Sequence, residues 1–221
     1  MKHYPHEKRE QTGPANTVWP EMSTNGLDND DVKAYLKTRG LSYDLAESNG
    51  WYPSRCANDQ FLRVVIPART TLLTHVYWQA RAVSHNVHVR YQSPSGPRHG
   101  ALILVRAFPD DDRCSEQVVV VEGPLDSLSV AACGYDSIAL MGMRPGTEAI
   151  GHLKKLVDGR PALIVLDNEP EATRAAFDIA MQLASNGSRT NVENLRYAKD
   201  LAAMPYPARQ VWLDTVLAGL R

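Results

Sequence analysis

The sequence predicts an α/β protein, α+β overall, in which a mixed first half of helices and antiparallel strands precedes a mostly parallel sheet flanked by helices. Three observations predict it. From Gln117 onward, short runs of branched apolar residues alternate with helix-length segments, the pattern of a parallel sheet wound with crossover helices. Val118, Val119, Val120 and Val121 form an unbroken run, as suits a strand covered on both faces. Between residues 61 and 108, by contrast, strand-like runs follow one another with only turn residues between them.

Taken in order, residues 1 to about 25 mix Pro, Asn, Thr, Glu and Lys without a hydrophobic period, and a flexible arm is expected there. Asp28 or Asn29 is then placed to cap a helix whose apolar positions Val32, Tyr35 and Leu36 have helical spacing and which stops at Gly40. A short helix over 42–50 follows. Residues 61–67, 76–83, 87–92 and 101–108 read as the strands of one antiparallel sheet. The run Pro109-Asp110-Asp111-Asp112-Arg113 looks like a boundary. Beyond it the pattern predicts strand 118–121, a helix from Pro124 through Ala132, strand 137–141, helix 145–157, strand 162–166, helix 171–184, a last strand over 192–197, and an amphipathic helix over 207–220. The expected organisation is thus an arm (1–25), a first subdomain (26–112), a second (113–205) and a closing helix (206–221).

Composition narrows the function classes. With 43% hydrophobic residues in 221, the chain can bury a proper core. No apolar run approaches the roughly 20 residues of a membrane span, and the first residues lack the apolar centre of a secretory signal, so no membrane partner and a cytoplasmic location are expected. Cys56, Cys114 and Cys133 are far apart and never form Cys-x-x-Cys, and no His-Glu-x-x-His occurs, so no zinc site is expected. A net charge of −1 means that any affinity for nucleic acid must come from local basic patches.

The chemistry-bearing residues stand where strands end. In an open parallel sheet the carboxyl ends of the strands face the ligand crevice, and Glu122 and Asp167 each follow such a strand. If Asp167-Asn168-Glu169 stays extended, the period of two puts Asp167 and Glu169 on one side, and three carboxylates converge in a site for a hard cation. Taken singly, each acid is more simply read as a cap on the following helix, and Asp126 serves equally as an outer support or as a first-turn acid.

The stretch Val119-Val120-Val121-Glu122-Gly123-Pro124-Leu125-Asp126 resembles the first motif of Toprim domains, and Leu166-Asp167-Asn168-Glu169 with Arg174-Ala175-Ala176 resembles the second. Tyr197-Ala198-Lys199-Asp200 is similar to the Lys-Asp near the end of primase Toprim domains. In the first half, the segment from Tyr35 to Leu41, then Arg63-Val64-Val65-Ile66-Pro67, Trp78-Gln79-Ala80-Arg81 and Arg90-Tyr91-Gln92-Ser93-Pro94 look like the amino-terminal part of a bacterial or phage primase catalytic core.

The resemblance implies a Rossmann-like Toprim sheet over roughly 117–205. It further implies Mg2+ or Mn2+ held by Glu122, Asp167 and Glu169 with help from Asp200, Asp126 supporting them, and Arg63, Arg81, Arg90 and Lys199 contacting nucleotide or DNA. By the same resemblance the expected activity is primer synthesis from nucleoside triphosphates on single-stranded DNA. A Toprim nuclease and a single-stranded DNA-binding accessory protein are the alternatives. The motif departs from its usual form in having Glu169 where Asp is common, Glu171-Ala172 for the usual Ala-Gly, and no second acid shortly after Asp200. With neither a zinc ribbon nor a Gly-x-x-x-x-Gly-Lys-Ser/Thr loop in the sequence, a replicative helicase or other replication proteins are expected as partners, in the host cytoplasm if the chain is phage-encoded.

Overall fold

A computed structural model describes residues 18–55, 61–71, 75–109, 114–196 and 198–220. Most of the expected arm, residues 1–17, lies outside these. What is described of it is docked. Val18 carbonyl accepts the Trp78 indole N–H at 3.0 Å, Pro20 carbonyl accepts the Tyr52 hydroxyl at 2.9 Å, and Ser23 N–H donates to Pro53 carbonyl. This segment lays Trp19 against Tyr52, Val65 and Trp78, whose outer face would otherwise meet water.

Helix α1 (Gly26–Thr38) is capped by Asn25, whose side chain accepts the Leu27 N–H, and not by Asp28 or Asn29 as the sequence suggested. Asp28 is instead buried within the first turn, where Arg55 pairs with it at 2.6 Å and the Ser23 hydroxyl donates to it. The helix ends at Gly40, whose φ of +65° suits glycine, and Leu41 N–H closes back on Leu36 carbonyl. Ser42 caps α2 (Tyr43–Ser48) through Leu45 N–H.

Strands β1 (Tyr52–Arg55), β2 (Leu62–Arg69), β3 (His75–Ala82) and β4 (Tyr91–Gln92) make an antiparallel sheet in that order. The strand expected over 87–92 shrinks to two residues, because 83–90 runs as bends through Ser84, His85 and Asn86. Strand β5 (Ile103–Val105) leaves the first sheet altogether. It pairs antiparallel with β7 (Asp136–Ala139) and touches the first sheet through a bridge between Arg69 and Leu102. Its residues are buried on both faces, which fits it for the edge of a covered sheet and not for a solvated one. The change of sheet therefore falls before the expected boundary at 112.

The second sheet has the order β5, β7, β6 (Val118–Val121), β8 (Ala162–Val165), β9 (Thr190–Val192), parallel apart from β5. Strand β9 ends earlier than expected, and Tyr197 lies outside the described residues. Alternation splits the sheet's side chains between two cores. Leu104, Val118, Val120, Ile138 and Ile164 pack against α4 (Thr147–Val157) and α5 (Pro170–Ala184). Ile103, Val119, Val121, Leu163 and Val165 face the other way. They share one core with α3 (Pro124–Ala131), α6 (Tyr206–Ala218), Tyr35 and Leu36 of α1, and Val64 and Ile66 of β2. The two sheets are thus joined through apolar packing, at roughly 1.5–3 kcal/mol for each fully buried branched side chain.

Behind β6, Asp136 ties the opposite end of the sheet together. Its carboxylate accepts Ala107 N–H and Ser115 N–H and the Arg160 guanidinium at 2.8 Å. The strand ends that face the crevice are left to other groups.

Candidate metal and nucleotide site

Strands β6 and β8 are parallel neighbours with Val121 opposite Val165, so their carboxyl ends finish level. Glu122 is the next residue after β6, and Asp167 stands two beyond β8. After each acid the chain turns into a helix with proline in its first turn, α3 after Gly123 and α5 after Glu169. Proline supplies a fixed φ and needs no hydrogen-bond partner there, so each helix starts abruptly and leaves the acid at the crevice.

Glu122 is half-buried, and its Oε2 has no hydrogen-bond partner. Burial raises its carboxyl above the ordinary value, the charges of Asp167 and Glu169 raise it further, and the Asp167 backbone and Lys199 offset part of this. Asp167 is raised by burial and then by Asp200 and Glu169, with Lys199 opposing. Asp126 is 8% exposed and pushed up to about 7 by burial, with Asp200, Asp167 and Glu122 adding to the effect. Its Oδ1 accepts Ala202 N–H at 2.9 Å. Glu122, Asp126 and Asp167 therefore each feel the charge of neighbouring acids, with Glu169 and Asp200 among those that act on them.

Glu169 arrives by a different route from the one expected. Its N–H closes on Asp167 carbonyl at 2.7 Å, a three-residue turn in place of an extended segment, and Glu169 becomes the exposed N-cap of α5 without using its side chain as a cap. Asn168 N–H donates to Lys199 carbonyl, which ties this turn to the Lys199-Asp200 segment. Asp200 caps a 3-10 turn (Leu201–Ala203) by accepting Ala203 N–H at 2.8 Å. Among the described residues, no three His, Cys, Asp or Glu side chains are close enough as they stand to enclose an ion.

The basic residues divide. Arg63 is fully buried, and its guanidinium donates to the carbonyls of Ala80, Val89 and Arg90. It holds the bends of 83–90 onto the sheet and does not line a cleft, which corrects the sequence reading. Arg81 is half-buried. Its Nε donates to the Tyr35 hydroxyl at 3.0 Å, and its guanidinium lies 4.8 Å from the centre of the Tyr91 ring. The Tyr91 hydroxyl is pushed up to about 12, chiefly by burial, and Asp126 is among the charges that act on it. Tyr91 thereby brings the first sheet within reach of the Asp126 charge. Arg90 and Lys199 are exposed.

Sequence reasoning did not find Ala202, whose contribution is a backbone N–H, nor the part played by Tyr35. Met141, at φ +57°, donates its N–H to Glu122 carbonyl, and its own carbonyl accepts from Arg98. Beside it a cavity of about 400 Å³ is lined by Arg98, His99, Arg144 and the first turn of α4.

Residues 119–204, which hold the Glu-Gly-x-x-Asp turn after β6 and the acid after β8, match the Toprim-like family. Over its greater length the chain also has the fold of primase catalytic cores. It superposes on the Aquifex aeolicus primase zinc-binding and RNA polymerase domains with a TM-score of 0.67 and 16% identity, over 87% of this chain and 56% of that one. The catalytic domain of the DnaG primase bound to single-stranded DNA gives 0.58 and 17%, over 84% and 69%. The primase fragment of the bacteriophage T7 primase-helicase protein gives 0.58 and 16%, over 81% and 71%. The chain thus spans little more than half of the Aquifex protein. A search among curated proteins finds no match. No helix among the described residues is long and apolar enough to cross a membrane.

Proposed function

We propose that this chain is a primase-type nucleotidyltransferase that joins ribonucleotides on a single-stranded DNA template, using Mg2+ or Mn2+ at Glu122, Asp167 and Glu169 with Asp200 assisting. The observation that carries this reading is the group of mutually repelling carboxylates gathered at the ends of β6 and β8, with Tyr91, which stacks under Arg81, near enough to feel the charge of Asp126. The donor set suits a hard cation. It is all oxygen, and Glu122 Oε2 lies buried without a partner. When bound, such a cation neutralises charge developing on a phosphoryl group and lowers the pKa of an attacking hydroxyl.

The chain's own residues would do the rest. Asp126, held by Ala202 N–H, braces the carboxylates from behind. Arg81 and Arg90 present guanidinium groups to phosphate, and Lys199 adds a point charge beside Asp167. Tyr91 fixes the plane of Arg81. A replicative helicase or a template-reading partner, as for a helicase-linked primase, would supply loading onto DNA.

The test is to incubate the full chain with a single-stranded template, labelled nucleoside triphosphates and Mg2+ or Mn2+, beside Glu122→Gln. Short oligoribonucleotides that need the metal and vanish in the variant are the expected result. A shortened template would replace this reading with a nuclease. Template binding without product, unchanged in the variant, would replace it with a DNA-binding accessory.

A further inference from the structure

Helix α6 follows the last of the carboxylates assigned above in the chain and carries a charge in the interior. Arg209 is 1% exposed. Its Nη1 donates to the carbonyls of Leu201 and Met204, both at 3.2 Å, which are the first residue of the 3-10 turn and the residue that ends it. Its Nε and Nη2 make no oxygen or nitrogen hydrogen bond; the Cys133 thiol after α3 lies beside it and the Tyr206 ring centre is 5.8 Å from the guanidinium. A buried guanidinium with donors that meet no oxygen or nitrogen is a costly way to pack a helix against a core, and an apolar residue of similar volume would fill the space without that cost.

The clamped turn explains the arrangement. Between the two carbonyls that Arg209 holds, Ala202 and Ala203 point their N–H groups the other way, to Asp126 Oδ1 at 2.9 Å and Asp200 Oδ1 at 2.8 Å. One guanidinium therefore sets, through three residues, the donors that orient two of the five carboxylates. The helix that carries Arg209 is itself fixed to the sheet. Leu213 and Leu217 are fully buried, Gln210 donates to Cys133 carbonyl, and Gln117 donates to Leu217 carbonyl at 2.6 Å.

We propose that Arg209 is a positioning residue for the candidate metal site, holding the 201–204 turn so that its amides fix the carboxylates of Asp126 and Asp200. The proposal rests on the metal-site reading given above, though its first readout does not require metal.

Backbone amide exchange at Ala202 and Ala203 is measured by NMR on the metal-free full chain for wild type, Arg209→Met, Arg209→Lys and Leu213→Ala. Arg209→Met is expected to speed exchange at both amides by about tenfold, the equivalent of losing the two hydrogen bonds that hold the turn. Arg209→Lys, which keeps a charged donor, should restore most of the protection. Leu213→Ala destabilises the same helix without touching the turn and should leave both amides near wild type. Mn2+ affinity, followed by water proton relaxation, should fall about tenfold in Arg209→Met and stay within about twofold in Leu213→Ala. If Arg209→Met fails to fold, Arg209→Gln, which keeps one donor, carries the same comparison. Exchange unchanged in the folded Met or Gln variant, or raised equally by Leu213→Ala, overturns the proposal. Faster exchange in a chain whose wild type binds no Mn2+ supports the positioning role and removes the metal-site reading instead.

Discussion

The Asp126 carboxylate accepts the backbone N–H of Ala202 at 2.9 Å, joining the first turn of α3 to a turn that follows β9. Seventy-six residues separate the two in sequence. The bond matters because Asp126 is otherwise buried among like charges, with Asp200, Asp167 and Glu122 all acting on it. A single amide dipole compensates only part of that, and the carboxyl is left titrating near neutrality.

A pH dependence of stability follows. Asp126 is raised from 3.8 to about 7 in the folded chain, first by burial. Between about pH 4 and 7 the folded state keeps a proton that the unfolded state has lost, so stability falls as pH rises through that window. The loss accumulated by pH 8 is of order 4 kcal/mol. Glu122 and Asp167 are raised too and act in the same direction. Asp126→Asn keeps an oxygen for Ala202 and cannot ionise, so the variant should be more stable than wild type at pH 8, with the gap closing toward pH 5. Urea unfolding in the presence of a chelator at both pH values checks this, and parallel profiles would remove the assignment.

Gly123 is needed for space and not for backbone freedom. Its φ of −109° is open to any residue, but a Cβ there would stand 2.9 Å from Asp126 Oδ2. Gly123→Ala should push the carboxylate off the Ala202 amide and cost about 1–3 kcal/mol. Against an Asp126→Ala background the same substitution should cost under about 0.5 kcal/mol, because the obstructing oxygen is gone. A double-mutant cycle by chemical denaturation measures the difference. Additive effects would place the cost elsewhere.

How much of this was legible in the sequence depends on whether the cause was local. The valine run of β6, the proline at the start of α3 and the glycine after α1 each declare themselves within a few residues, and the parallel sheet with its two terminal acids follows from them. Strand β5 misled because its apolar pattern fits either sheet. Its choice was made by pairing with β7, more than thirty residues away, which puts Leu104 into one core of the second sheet and Ile103 and Val105 into the other. Arg63 misled for a related reason. An arginine in a strand reads as surface or cleft, and only the carbonyls of Val89 and Arg90 bending back over it reveal a structural use. The Ala202 amide leaves no trace in the sequence, since every residue but proline offers one.

The two arginines of the first sheet should therefore separate in experiment. Arg63→Met removes the guanidinium that ties the Val89 and Arg90 carbonyls to Ala80 of the sheet, and should destabilise the chain by about 2–4 kcal/mol. Arg81→Gln gives up one hydrogen bond to Tyr35 and the stacking on Tyr91, at a cost of about 1 kcal/mol. Template affinity should show the reverse order, falling more steeply in Arg81→Gln. Urea melts paired with fluorescence anisotropy on a labelled single strand measure both. If Arg63→Met at full folding binds DNA more weakly than Arg81→Gln, the proposed division is wrong.

Cation binding should itself depend on pH, because the groups proposed to take the metal hold their protons more tightly than ordinary carboxylates. Glu122 and Asp167 are both raised, first by burial and then by neighbouring acids. Below the pH at which they ionise, a proton competes with the cation, and above it the uncompensated charge favours the cation. A divalent ion at a hundred times its dissociation constant would stabilise the folded chain by about 2.7 kcal/mol, or about 5–10 °C in Tm for a chain of this size. The shift with Mn2+ should therefore be larger at pH 8 than at pH 6, the opposite of the trend in metal-free stability. Glu122→Gln and Asp167→Asn should each abolish most of it. Glu169→Gln should remove less, since that side chain is exposed at the start of α5 and reaches the others through charge across solvent. Thermal melts with and without Mn2+ at the two pH values make the comparison, and a shift that survives Glu122→Gln would place the cation away from these strand ends.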